Sequence, residues 1–225
     1  MEYVKGISVE AHTEDWINAR LGHFTSSEWA KLFKSKNLKK CTYIDEKVAE
    51  ILTRRPKEII RGIPAIDWGV AHEPDAADAY SILTNQKLIH SGFYEYSIAF
   101  GGTPDRECAN NPKLIQEIKA PYVSSNFTAA CEIMSGEQLK DFDLDKYIQC
   151  QGNMIVTCAE MCDLIFFDPR MRDIEHQTKI IRIYRDNDLI KDGLQLLDDA
   201  TEVLTDKIER ILKMHSHNLT YRIAS

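Results

Sequence analysis

Long apolar runs are missing from this 225-residue sequence. No stretch approaches the roughly 20 consecutive apolar residues that a membrane helix needs. Met1-Glu2-Tyr3-Val4-Lys5 also lacks the basic-then-apolar order of a secretory signal. The expectation is a cytoplasmic chain with no membrane partner. An excess of positive charge is missing as well: 28 Lys and Arg stand against 35 Asp and Glu, a formal net charge of -7. That balance excludes a protein that coats nucleic acid indiscriminately, so any such contact has to be local. Among the six cysteines no pair has CxxC spacing, which argues against a zinc ribbon. In a reducing compartment they read as free, mostly buried thiols. Cys150, Cys158 and Cys162 are near one another, but a metal–sulfur cluster needs a fourth ligand and tighter spacing. No repeat, low-complexity tract or Pro/Gly/Ser linker divides the chain, so a single domain over residues 1–225 is expected.

What is present is a hydrophobic fraction of 44%, ample for one core, and a readable order of elements. Thr13-Glu14-Asp15 opens a short helix through Trp16 and Arg20. Thr25-Ser26-Ser27-Glu28 has the form of a capping box, predicting a helix from about Glu28 to Phe33. Further helices are expected near Ile44 to Leu52 and Ala65 to Leu83. The stretch Tyr94 to Phe100 is aromatic and β-branched and is closed by Gly101-Gly102. Asn110-Asn111-Pro112 then makes a turn before Leu114 to Lys119, which together predict a hairpin or meander. A helix over Leu144 to Thr157 follows, then strands at Leu164 to Phe167 and Lys179 to Tyr184. Asp186-Asn187-Asp188 caps a long amphipathic helix with Leu189, Leu196, Ala200, Val203, Leu204, Ile208 and Ile211 on one stripe. Helices flanking a mixed central sheet make an α/β sandwich. Two basic stretches, Lys31 to Lys40 and Arg54 to Arg61, are candidate nucleic-acid contacts or simply solvated charged faces.

Chemistry concentrates in Leu114-Ile115-Gln116-Glu117-Ile118-Lys119. In a strand Glu117 and Lys119 project from one face, about 7 Å apart along the chain. Leu114, Gln116 and Ile118 form the other, more apolar face, so the Glu/Lys pair either lines a cleft or makes a surface ion pair. Pro104-Asp105 ends the preceding strand at the distance a hairpin needs to return Asp105 beside Glu117. Two carboxylates with no His or Cys nearby suit Mg²⁺ or Mn²⁺ rather than zinc. A metal there could polarise a phosphoryl oxygen and activate water, with Lys119 orienting or helping to deprotonate that water.

Pro-Asp followed by Glu-x-Lys resembles the PD-(D/E)xK nuclease superfamily, and further blocks narrow the likeness. Asp15-Trp16, Arg20-Leu21-Gly22 and Thr25-Ser26-Ser27-Glu28 come first, then Trp68-Gly69 with Glu73, and Gly102-Thr103-Pro104-Asp105. Glu117-Ile118-Lys119-Ala120-Pro121, Tyr147-Ile148-Gln149-Cys150-Gln151 and Phe167-Asp168-Pro169-Arg170-Met171 complete the order. In sequence they look like the family of lambda exonuclease and YqaJ-type viral recombinases. The segment Tyr122 to Asn126 departs from it in lacking an Arg, and the gap from Glu117 to Gln149 is a few residues longer, so phosphate contacts near the cleft are expected to differ.

The resemblance implies a restriction-endonuclease-like core with a mixed central sheet and a long C-terminal helix. It implies that Asp105, Glu117 and the Ile118 carbonyl hold Mg²⁺, with Glu73 joining them directly or through water, and two ions when DNA is bound. Lys119 would handle the attacking water, and Gln149 would help position it. Arg20, Thr25 and Ser27 would receive the 5′-phosphate, where the rival reading is an ordinary capped helix. Ile66 would be a strand-separating wedge, or else a core residue. The implied activity is 5′→3′ digestion of double-stranded DNA ends to mononucleotides. It would leave 3′ single strands for a single-strand annealing recombinase, and the enzyme would be a homotrimeric ring. The rivals are another nuclease of the superfamily, such as a RecB-like single-strand exonuclease or an endonuclease, and a non-catalytic DNA-end-binding scaffold.

Overall fold

The computed structural model describes residue 9, residues 13–57 and residues 62–223, with side chains as far as residue 214. Helix α1 (Glu14–Ala19) is capped as expected, the Thr13 hydroxyl accepting a hydrogen bond from the Trp16 amide. The next segment corrects the sequence reading. Strand β1 (Phe24–Thr25) runs into a 3₁₀ turn (Ser26–Glu28) and a short helix α2 (Ala30–Phe33), and Thr25 makes no capping bond. Thr25 is committed elsewhere: its amide donates to the Tyr43 hydroxyl at 2.9 Å, and its own hydroxyl lies 3.2 Å from that of Ser27. Tertiary pairing has displaced the local capping preference.

Helices α3 (Thr42–Thr53) and α4 (Pro64–Thr84) follow, then strands β2 (Leu88–His90), β3 (Tyr94–Ser97), β4 (Phe100–Gly102), β5 (Arg106–Cys108) and β6 (Leu114–Lys119). Pro64 begins α4, where its missing amide costs no hydrogen bond. After β6 come α5 (Ser124–Cys131), α6 (Gly136–Phe142), α7 (Leu144–Thr157), β7 (Met161–Phe167), β8 (Thr178–Tyr184) and α8 (Asn187–Ile223). The predicted strand Tyr94 to Phe100 is two strands, its pairing register shifting between Glu95 and Ser97. These join β1 in a separate three-stranded sheet of order β1-β4-β3.

The main sheet has the order β2-β5-β6-β7-β8, parallel between β6 and β7 and antiparallel elsewhere. Helices cover both of its faces. Ile115 packs with Phe127, Met154, Leu164 and Phe166 under α5 and α7, whereas Ile118 packs with Ala76, Tyr80, Ile165 and Phe167 under α4. Neither face of β6 is the solvated one, which removes the surface-ion-pair reading of Glu117. A third core joins Phe24, Trp29, Phe100 and Ile148 to the α8 stripe of Leu196, Ala200, Val203, Leu204, Ile208 and Ile211. Asp186 caps α8, accepting from the Leu189 amide at 3.0 Å. Among the described residues no helix is long and apolar enough to cross a membrane.

Candidate active site

The β5–β6 hairpin pairs Arg106 with Gln116, so Asp105, just before β5, stands opposite Glu117. Asp105 therefore opens the hairpin strand rather than ending the strand before it, and the convergence expected of the two carboxylates holds. The Asp105 Oδ2 accepts a hydrogen bond from the Ile118 amide at 2.6 Å. Glu117, only 2% exposed, is held from both oxygens. Its Oε1 accepts from Lys119 Nζ at 2.7 Å and from Gln149 Nε2 at 2.5 Å, and its Oε2 from Asn153 Nδ2 at 2.8 Å.

Gln149 and Asn153 are four residues apart on α7 and so share a helix face one turn apart. Asn153 escaped the sequence reading, although its spacing from Gln149 was a usable signal. Glu73 reaches the site from α4, but its Oε1 is taken by Arg106 at 2.6 Å, and the same guanidinium nitrogen donates to the Asp105 carbonyl at 2.6 Å. Arg106 was also missed, and nothing in its local sequence distinguished it. Among the described residues no three acidic, imidazole or thiol groups form a ready-made metal cage, and Glu73 is paired with Arg106.

The electrostatics show what the site lacks. Burial pushes the Asp105 carboxyl well above the usual carboxylate range, and the nearby charges of Glu117 and Glu73 push it further. Burial disfavours the Lys119 ammonium, but Glu117 and Asp105 more than offset that, so it holds its proton more tightly than an ordinary lysine. Lys119 Nζ, 2.7 Å from Glu117, is placed to orient a water molecule at the carboxylate pair. Two crowded carboxylates and a main-chain carbonyl at Ile118 are a hard-oxygen donor set short of positive charge, which fits Mg²⁺.

A cavity of about 730 Å³ joins these groups to the N-terminal block, its lining including Arg20, Thr25, Ser27, Asp105, Lys119 and Gln149. Close backbone approach makes this possible. A Cβ on Gly102 would fall 2.2 Å from the Ser26 hydroxyl, and one on Gly152 would fall 3.0 Å from the Ser26 Cβ, so β4, α7 and the Ser26 turn can touch. The Arg20 guanidinium lies over the Trp16 ring at 4.0 Å, and the Trp16 indole donates to Thr103 at 3.0 Å. Below it the Gly22 amide donates to Glu50 at 3.0 Å, and Glu50 is bound in turn by the buried amine of Lys47.

Ile66 is 53% exposed, so it is not a core residue, and it lines the cavity mouth. In the basic stretches Lys31 pairs with Glu28, Lys34 with Asp145 at 2.6 Å and Lys57 with Glu46 at 2.8 Å. Arg61 lies outside the described residues. The segment without the expected Arg is held by Arg170, which donates to the carbonyls of Pro121 and Tyr122 and lies 4.4 Å over the Trp68 ring.

The chain is similar to an alkaline exonuclease, LHK-Exo, from Laribacter hongkongensis. Identity is 26% over 92% of this chain and 100% of that one, with a TM-score of 0.76. The structure of that enzyme with dAMP matches equally well, at 27% identity and TM-score 0.76, with the same coverage. A phage-related exonuclease from Haemophilus somnus 129PT shares the fold at 16% identity and TM-score 0.65, over 84% of this chain and 96% of that one. No curated protein matches the chain. The YqaJ-like viral recombinase domain matches residues 15–160, a span that runs from Asp15 through the paired carboxylates and Gln149, and the chain belongs to that family.

Proposed function

We propose that this chain is a Mg²⁺-dependent exodeoxyribonuclease, a single nuclease domain that digests double-stranded DNA ends 5′→3′ and leaves 3′ single strands. One observation carries the reading: a single cavity holds both the charge-deficient carboxylate pair and the Arg20–Ser27 segment. Charged chemistry on a phosphodiester and recognition of a terminal phosphate can then take place on one strand. The likeness to a structure holding dAMP supports mononucleotides as the product.

Mg²⁺, with Mn²⁺ as a substitute, would be held by Asp105, Glu117 and the Ile118 carbonyl, with Glu73 acting through water and a second ion sharing Asp105, and would supply Lewis-acid polarisation and an activated water. The remaining work belongs to the chain. Lys119 Nζ orients the water and stabilises charge developing on the phosphoryl oxygens. Gln149 and Asn153 keep Glu117 in place. The water oxygen bonds to phosphorus as the P–O3′ bond breaks, O3′ takes up a proton, and the water releases one to solvent. Arg20 receives the 5′-phosphate with the hydroxyls of Thr25 and Ser27, and Ile66 at the mouth parts the strands.

The site acts in the cytoplasm, as a homotrimer that confines its basic residues to a DNA channel, and hands its 3′ strand to a single-strand annealing recombinase. Digestion of linear duplex carrying one labelled 5′ terminus tests the reading. Mg²⁺-dependent release of labelled mononucleotide, faster from phosphorylated ends, is expected. Equal cutting of covalently closed circles would refute end recognition. Light scattering should report three chains per particle.

A further inference from the structure

A second cavity, of about 680 Å³, adjoins Asp105, and its apolar wall is not used by the hydrolysis described above. It shares Ile66, Glu73, Asp105 and Lys119 with the Arg20 cavity, so the two spaces meet at the point where the phosphodiester must lie. Their remaining linings differ in kind. In place of guanidinium and hydroxyls, the second cavity offers Val70 from α4, Pro121 just beyond β6, Phe166 of β7, and Phe142 from the end of α6. Three of its apolar side chains are left to solvent, Ile66 at 53%, Val70 at 57% and Phe142 at 56% exposed. Clustered apolar exposure around a polar centre marks a surface that another group covers.

The charge in this cavity decides which part of a nucleotide belongs there. Lys146 lines it, but its ammonium is paired with Asp143, which also caps α7 by accepting from the Lys146 amide at 3.1 Å. That pair is close to neutral and does not favour a phosphate. A planar apolar group fits the walls better. A strand whose scissile phosphate sits at Asp105 and Glu117 places one nucleotide on each side. With the 5′-terminal phosphate at Arg20, the nucleotide on the 3′ side of the cut enters the apolar cavity.

We propose that Phe142, facing the same space as Ile66 and Val70, is a stacking platform for the nucleobase immediately 3′ of the scissile linkage. This rests on the nuclease reading above and deepens it. Every base has a π-face, so such a platform holds the strand in register without reading its sequence. Alone among the strand contacts proposed, it would grip the nucleotide that becomes the new 5′ end.

The test uses the full chain and 5′-phosphorylated duplexes, either intact or with one abasic residue at the nucleotide 3′ of the first linkage. Affinity is read with Ca²⁺ in place of Mg²⁺, and kcat/KM with Mg²⁺. Wild type should bind and cut the abasic duplex about tenfold less well than the intact one. Phe142→Ala should lose about the same factor on intact DNA and no longer distinguish the two substrates, and Phe142→Trp should restore the distinction. An unchanged abasic penalty in Phe142→Ala, or none in wild type, overturns the platform. So does a change in oligomeric state without a change in that penalty, which would assign Phe142 to a contact between copies of the chain. Failure of wild type to cut intact duplex at all would instead refute the nuclease reading, and the Ca²⁺ binding arm still decides the platform.

Discussion

Two buried acidic sites sit on opposite faces of the same sheet. On the α4 face Asp163 of β7, fully buried, is gripped by the Arg182 guanidinium through Nε at 2.6 Å and Nη2 at 2.7 Å, and by the Tyr80 hydroxyl at 2.6 Å. On the α7 face Asp105 and Glu117 receive neutral amide donors and one amine. The first site is neutralised within the chain by a bidentate pair, the arrangement that stabilises a permanent buried charge. The second keeps two carboxylates against one ammonium. A structural acid is completed by its own fold, whereas this pair is left for a cation and a phosphodiester to complete.

The sharpest way to break that comparison is to neutralise one member of each site. Asp105→Asn should lower single-turnover cleavage with Mg²⁺ by on the order of a thousandfold. Its thermal midpoint should hold or rise, since the substitution relieves a carboxyl already disfavoured by burial and by Glu117. Asp163→Ala should do the reverse. It leaves the buried Tyr80 hydroxyl without its acceptor, while Arg182, 43% exposed, can turn to water, so it should cost about 1–3 kcal/mol in urea unfolding. Its folded fraction should still cut DNA, and an inactive but stable Asp163→Ala protein would erase the distinction.

Asn153→Ala sharpens the comparison by loosening Glu117 without removing it. The Mg²⁺ concentration for half-maximal activity should rise about 10–100-fold, the usual cost of losing a partner that orients a metal ligand, and excess Mg²⁺ should restore most of the rate. A fall in the rate at saturating Mg²⁺ with no shift in the Mg²⁺ requirement would contradict that role.

The smallest effect belongs to Asp168 and Arg170. Burial raises the Asp168 carboxyl, but hydrogen bonds from the Arg170 side chain and amide outweigh it, so the folded pKa lies below the ordinary value. A lowered folded pKa contributes stability above the unfolded carboxylate value and loses it as pH falls through the folded one. Arg170 is partly exposed, so Arg170→Ala should cost about 1 kcal/mol at neutral pH, with the gap to wild type closing in acid. Urea unfolding at neutral and at acid pH measures it.

Elements with a strong local period are legible in the sequence. Helix α7 spans Leu144–Thr157 as predicted, and the α8 stripe packs on the core. Strands β7 and β8 begin three residues and one residue earlier than expected. Strand β2 was not recognised, because three residues at a sheet edge carry too little pattern. Helices α5 and α6 were also passed over: Ser124-Ser125-Asn126 and Ser135-Gly136 read as loop residues until packing gathers Phe127, Ala130 and Leu139 beneath them. Within the site, Asp105, Glu117, Lys119 and Gln149 were visible as motif residues. Asn153 and Arg106 were not, since neither the motif nor a local spacing used in the reading singled them out.

By itself the sequence determined residue chemistry and short-range order: two carboxylates a hairpin apart, a lysine two residues on, and helices whose apolar stripes need a partner. Those follow from backbone periodicity, which acts over a few residues. Only the tertiary structure decided that Glu117 is buried under α7, that Arg106 holds Glu73, that Ile66 faces solvent, and that Thr25 pairs in a sheet instead of capping a helix. Each of these depends on segments far apart in the chain competing for the same donors and the same space, and that competition is settled only when they pack.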